Sequence, residues 1–356
     1  MGISKQDLVI QLKAQGITTT KQQLNSLHKS LNKSGKSAAG MAAQIAGATV
    51  ALLAAQRAIA SVIATGKEFE QSMANVKAIS GASSREFAML EASAKKLGAT
   101  TVFTASQVAE LQTEFAKLGF TATEITGVTK DTLALSAAVG SDLATSAMVA
   151  GATLRGFGLD VAETSRVTDV MAASFSSSAL DMDRFANSMQ YVAPIAKAAG
   201  VDIEGTTALL GQLANAGISG SMAGTSLRRI LLDAGNASSK LAKRLGGPIT
   251  SFEDFTRKLI KLRKSGFDPV AEGADVVGRL SVSAFEILLN GAESAAELGT
   301  ALNDAGGAAQ QMAEIQLDTL EGKLLLAQSA MDGLKIELFE ASEGPLKATV
   351  DDTRQC

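Results

Sequence analysis

Gly119-Phe120-Thr121-Ala122-Thr123-Glu124 holds the end of one helix and the start of the next in six residues. Gly closes a helix by entering the left-handed region that side chains disfavour, and the apolar residue after it folds back on the last turn. Thr121 then offers a side-chain oxygen to the first free amides of the following helix. Glu124, three residues on, completes a capping box. The joint recurs as Gly158-Leu159-Asp160, Gly200-Val201-Asp202 and Gly217-Ile218-Ser219, with Glu163 again three residues after Asp160. The first three glycines lie 39 and 42 residues apart, close to the period of a stacked helical-hairpin array. The expected fold class is all-α: stacked helical hairpins.

Composition agrees. Hydrophobic residues are 46% of the 356, aromatics only 4%, and Trp is absent. An apolar share made of Ala, Leu, Val and Ile suits closely approaching helix axes. Only Pro194, Pro248, Pro269 and Pro345 interrupt the chain. The one cysteine, Cys356, excludes an intramolecular disulfide, and no signal peptide is visible before the first apolar stretch near Met41. The net charge of −3 is uneven: residues 1–66 carry +6 and the remainder −9. Such a basic arm suits an acidic surface, nucleic acid or anionic lipid; it equally suits a solvated helix face.

Along the chain, residues 7–12 read as a short strand, Leu24, Leu27 and Leu31 as a helical stripe, and residues 33–40 as a flexible break. Residues 41–65 are the most apolar run, but its uncharged stretch from Ile45 to Ala55 is well short of the roughly 20 residues that span a bilayer. It reads as a buried or self-associating helix, or as a segment entering a membrane on a trigger. Regular helices follow. One ends at Gly81, the next is capped by Ser84 and ends at Gly98, and Thr104 with Gln107 opens a third that stops at Gly119. Others span 121–138, 141–157, 160–175, 181–199, 202–216 and 219–235, with Pro194 kinking or breaking its helix. Residues 236–275 are rich in Lys and Arg around a helix at 251–264; helices resume at 270–290, 293–304 and 308–341. The last carries an apolar stripe from Met312 to Leu338 with few breakers, and reads as a coiled-coil-like rod.

A search for chemistry ends without a site. His28 is the only histidine, which excludes a multi-histidine metal site and a histidine-dependent triad deeper in the chain. Gly35-Lys36-Ser37 resembles the end of a phosphate-binding loop, but Ser30 stands where that loop needs Gly. Asp181/Asp183 and Asp351/Asp352 read as helix-start acids. Gly217-Ile218-Ser219-Gly220-Ser221 has no histidine after it to act as base. Arg228-Arg229 read as decoration of an exposed helix side. No catalytic residue, cofactor site or metal site is expected, and the chain is read as not an enzyme.

Several blocks, in order, resemble the core of phage tail tape-measure proteins. They are Glu68-Phe69-Glu70-Gln71-Ser72-Met73-Ala74-Asn75-Val76, Leu97 to Ala109, and Leu118-Gly119-Phe120. Tyr191 to Lys197, Leu213 to Ile218, Gly224-Thr225-Ser226-Leu227-Arg228-Arg229 and Thr319-Leu320-Glu321-Gly322-Lys323-Leu324 continue the series. The resemblance implies a virion component in the tail tube lumen, assembled in the bacterial cytoplasm, that sets tail length and leaves ahead of the DNA. Its implied partners are further copies of itself, the tail tube protein, tail assembly chaperones and a baseplate or tail-tip initiator, with contact to the host membrane on infection. Specific nucleic-acid binding is not expected. The alternatives are a membrane-active, pore-forming protein delivered to the host envelope, and a truncated core acting as a helical assembly scaffold. Tape measures commonly continue beyond this core; a fully helical rod of this length would reach only about 530 Å at 1.5 Å per residue. The expected divisions are a basic arm (1–40), an apolar helix (41–65), a tape-measure core of hairpins (66–235), a basic connector with helices (236–307), a long helix (308–341) and a flexible tail (342–356).

Overall fold

The computed structural model describes the backbone of residues 38–354 and the side-chain surroundings of residues 57–342. The expected strand at 7–12, the stripe from Leu24 to Leu31, His28, Gly35-Lys36-Ser37 and Cys356 lie outside the described residues. Among the described residues there are sixteen α-helices and no strand. These are α1 (Ala38–Ser80), α2 (Ser84–Thr100), α3 (Ala105–Lys117), α4 (Ala122–Val139), α5 (Leu143–Phe157) and α6 (Thr164–Ser177). Next come α7 (Met182–Ala198), α8 (Ile203–Asn215), α9 (Gly220–Gly235), α10 (Lys240–Arg244) and α11 (Phe252–Lys264). The last are α12 (Pro269–Val277), α13 (Val282–Asn290), α14 (Ala292–Asn303), α15 (Ala308–Leu317) and α16 (Leu320–Arg354). The chain divides at Ile63/Ala64, within α1, and the helices after that point form one unit.

The four joints set the geometry of that unit. Gly119, Gly158, Gly200 and Gly217 all have positive φ, between 59° and 86°. Each following residue sends its N–H back five positions: Phe120 to Phe115 (3.2 Å), Leu159 to Leu154 (2.8 Å), Val201 to Ala196 (2.9 Å) and Ile218 to Leu213 (2.9 Å). This double-bonded helix end satisfies carbonyls that would otherwise lack partners and turns the chain in a fixed direction. At the first joint the fold-back is reinforced by Phe120 meeting Phe115 edge to face at 5.4 Å. Thr121 and Glu124 form the expected capping box, and Thr104 with Gln107 forms one at the start of α3; α2 is capped not by Ser84, its first helical residue, but by Ser83, which forms a capping box with Glu86. Asp142, Asp181 and Asp202 cap α5, α7 and α8 by accepting from Thr145, Arg184 and Gly205, each at 2.8 Å.

Repeated turning lays the odd and even helices into separate rows. α3, α5, α7 and α9 pack one on the next; α2, α4, α6 and α8 form the second row behind them. The apolar stripes face each other across the rows, and Phe115, Leu111, Ile125, Leu154, Met171 and Phe185 are fully buried there. At the far end α11 to α13 close the array. The chain then returns along the even row: α14 lies on α8 and α6, α15 on α6 and α4, and α16 on α2. Phe339 of α16 reaches Gly66 of α1, where a Cβ would fall 2.1 Å from its ring.

Several expectations differ from the structure. Gly98 does not end its helix: α2 continues to Thr100, and Gly98 instead lets Ala105 approach, its missing Cβ falling 2.5 Å from the Ala105 nitrogen. Asp160 and Glu163 form no capping box, because the chain starts with a 3-10 turn at Val161–Glu163; Asp160 accepts from Ala162 and Glu163 pairs with Arg166. Ser219 makes no side-chain cap to α9. α7 runs unbroken through Pro194. The expected helix at 270–290 is interrupted at Gly278, whose φ is 79°, by a 3-10 turn. The expected helix at 308–341 breaks at Asp318-Thr319, where Thr319 takes the Gly322 amide at 3.0 Å and starts α16. Its backbone then stays helical to Arg354, through the stretch expected as a flexible tail.

Candidate functional site

Two of the residues weighed for chemistry have structural roles. Asp181 is the cap of α7. Arg229 pairs with Asp233 at 2.7 Å on the exposed side of α9, as expected for a decorated helix. Of the cations in the basic connector, Lys240 pairs with Asp275, Arg244 with Glu272, Arg257 and Lys258 with Asp254, and Arg263 with Glu293. Five of the connector's cations are thus held in ion pairs within the fold. Among the described residues no group of side chains could hold a metal ion, and no helix is long and apolar enough to cross a membrane.

Two interior ties were not visible in the sequence. Arg166 of α6 grips the buried Glu204 of α8 with two bonds, 2.6 and 2.7 Å, and holds Glu163 with a third at 2.9 Å. This fork-to-carboxylate geometry is the strong form of an ion pair. Asp169 of α6, itself buried, accepts from Gly307 and Ala309 at 2.9 Å each. Gly307 has no side chain with which to cap α15, so Asp169 caps that helix from 138 residues away. Sequence proximity carries no trace of either tie.

Electrostatics follow the caps. The Thr121 backbone bond holds the Glu124 carboxyl below the usual range, and the Thr145 amide does the same for Asp142. Burial pushes Asp202 and Asp131 the other way, above it. None of these groups stands beside a partner arranged for proton transfer.

The surface is more informative. A groove of about 870 Å³ opens where the α15–α16 joint bridges α2 and α4, walled by Leu97, Phe103, Leu133, Ile315, Leu317 and Leu326. From its rim runs the outer face of α16, where Leu320, Leu324, Met331, Leu334 and Leu338 are 58–77% exposed. The opposite face, with Ser329, Ile336 and Phe339, is buried. A helix apolar on both sides, one packed and one bare, is the signature of an interaction surface.

Comparison with known proteins places this architecture. The family described as "Phage-related minor tail protein" matches residues 91–266, from within α2 to the end of α11 and its following turn. A "Tape measure protein" of Pneumococcus phage Dp-1 is 32% identical over 304 residues, 82% of this chain and 26% of that protein. The chain belongs to the phage tape-measure family. A "Probable tape measure protein" of Escherichia phage P2 is 29% identical over 351 residues, 93% of this chain and 43% of that protein. This tape-measure core thus spans about a quarter to two-fifths of the length of these relatives. No solved structure gives a significant match.

Proposed function

We propose that the chain is the core of a tail tape measure: a structural component of the tube lumen that governs tail length during assembly and is released on infection. The observation carrying this reading is the similarity to two tape measure proteins over 82% and 93% of the chain. The fold supports it. The hairpin array is closed by its own returning helices, five cations of its basic connector are held in ion pairs within the fold, and its bare apolar face belongs to a long helix. Those are properties of a scaffold. The partners in this reading are further copies of the chain, the tube protein, the assembly chaperones and the tail-tip initiator.

The test is tail length. Because α15 and the inner face of α16 are packed on the array, extra heptads belong after Ala341 rather than within residues 308–341. Negative-stain microscopy of particles carrying such insertions should show tails longer by about 1.5 Å per added residue. Tails of unchanged length would overturn the ruler role, and loss of tails with even a one-heptad insertion would assign the chain to initiation instead.

A further inference from the structure

We infer that Asp318 and Thr319 form a hinge, at which α15 and α16 join into one continuous helix and α16 swings off α2 as a released arm. The inference stands on the fold and is independent of the tape-measure reading.

The bend has no cause in the local sequence. Neither Gly nor Pro occurs from Ala308 to Glu321, and Ala313, Leu317, Leu320 and Leu324 keep one apolar stripe in helical phase across the joint. Sharp breaks in a helix normally have such a residue or an inserted group at them. Here the break is Asp318-Thr319 alone, with Asp318 at φ −76° and ψ 51°. It is held by Thr319, whose hydroxyl accepts from the Gly322 amide at 3.0 Å, and by an exposed ion pair of Asp318 with Lys323 at 2.9 Å. Exposed pairs add little. Gly322 serves the bend alone. A Cβ there would lie 2.2 Å from the Leu317 carbonyl oxygen, whereas in a continuous helix the same position accepts any good helix former and glycine weakens it.

The docked arm is fastened at separate points, mostly far from the joint. Ser329 donates to the Thr101 carbonyl, and Lys95 of α2 pairs with Glu340 and Glu91. Ile336 and Phe339 are buried, Phe339 over Gly66. From Leu320 to Gln328 only Gly322 is buried. The groove lies beside this stretch, with Leu317 and Leu326 on its walls from the two sides of the bend. Docking thus leaves apolar surface unfilled next to the joint, where close packing would have fixed its angle. Straightening gives up the distal contacts and regains a helical turn between Leu317 and Gly322. Two packed arrangements separated by two residues that absorb the change in φ and ψ make a hinge. Docked, α16 lies along α2. Released, the helix from Ala308 to Ala341 runs for about 50 Å, bares Ile336 and Phe339 and opens the groove.

The experiment uses the 356-residue chain in a Cys356→Ser background, with spin labels on Lys96→Cys of α2 and Glu337→Cys of α16, both exposed positions. Electron paramagnetic resonance should give a short docked distance. Gly322→Ala should raise a second population at least fivefold, because it blocks the bend and favours the helix. That population should be displaced by roughly the 27 Å length of the lever from Thr319 to Glu337. Asp318→Ala with Thr319→Ala should act in the same direction without any added clash, which keeps the test sound if Gly322→Ala folds poorly. Circular dichroism separates straightening, which keeps helicity, from melting of α16, which loses it. The docked state can also be locked. A Cβ on Gly333 would lie 3.7 Å from that of Ala99, a bridging distance for a disulfide. Oxidised Ala99→Cys with Gly333→Cys, without the labels, should therefore show a smaller maximum dimension in small-angle scattering than the Asp318→Ala, Thr319→Ala variant. A longer distance in either hinge variant with helicity kept supports the hinge. A single short distance in both variants, a long distance that appears only with loss of helicity, or equal dimensions for the locked and hinge variants would each overturn it.

Discussion

At the scale of single residues, the same residue type does opposite work, and only the structure separates the cases. Gly119 and Gly98 both read as helix stops. Gly119 has a φ of 78° with open space around it, so Gly119→Ala strains only the backbone and should cost about 1–2 kcal/mol. Gly98 sits inside α2 against the Ala105 backbone. In an exposed helix Gly→Ala would stabilise by up to about 1 kcal/mol. Here the added methyl forces α2 and α3 apart, and Gly98→Ala should instead destabilise by about 1–3 kcal/mol in chemical denaturation. A stabilised Gly98→Ala would show that the contact is slack. The carboxylates divide similarly. Asp202 caps α8, yet burial holds its pKa above the ordinary value, so ionising it works against the fold. Its cost is absent at pH below the unfolded pKa and grows as pH rises through the higher folded pKa. Asp202→Asn keeps an acceptor for Gly205 and removes that cost. It should be more stable than wild type at neutral pH, with the advantage vanishing on acidification below about pH 4. An advantage that persists at low pH would mean that ionisation is not its source.

At the scale of elements, helix identity and most boundaries of the array were legible because start and stop signals are local chemistry: a left-handed glycine, a buried apolar residue, a capping oxygen. The misplaced boundaries are those where a local signal was silent or overruled. Thr319 interrupts an unbroken apolar stripe, and its role as a cap shows only once α16 folds back so closely that a Cβ on Gly322 would meet the Leu317 carbonyl at 2.2 Å. Pro194 removes one amide, but the helix around it is held by Phe185, Met189, Val192 and Ala196, all buried. The ties between elements were not legible at all. Arg166 and Glu204 are 38 residues apart, and nothing near either names the other. Arg166→Ala strands a buried carboxylate and should cost about 3 kcal/mol, whereas Glu204→Gln in addition should recover part of that loss. The coupling in a double-mutant cycle measured by urea unfolding checks it; additive effects would deny the pair its role.

At the scale of the whole molecule, the period of the joints led to a stacked array, and the array is there, but the sequence pattern did not reveal that the chain comes back along it. In an open array each hairpin touches only its neighbours and the ends can melt independently. The return of α14, α15 and α16 over the even row adds contacts between helices far apart in sequence, so the array should lose that independence and unfold as one unit. Asp169 is the residue on which this can be tested, since its carboxylate caps α15 while its own helix belongs to the row beneath. Asp169→Ala leaves the Gly307 and Ala309 amides without their charged acceptor, a loss of about 2 kcal/mol. Hydrogen exchange should show those two amides and the first turn of α15 exposed roughly thirtyfold more often, at 1.4 kcal/mol per factor of ten. If α15 clamps the array, protection must fall together in the facing parts of α4 and α6, which it covers. If only the α15 amides respond, then the returning helices are an appendage, and the hairpins hold themselves as an ordinary repeat array would.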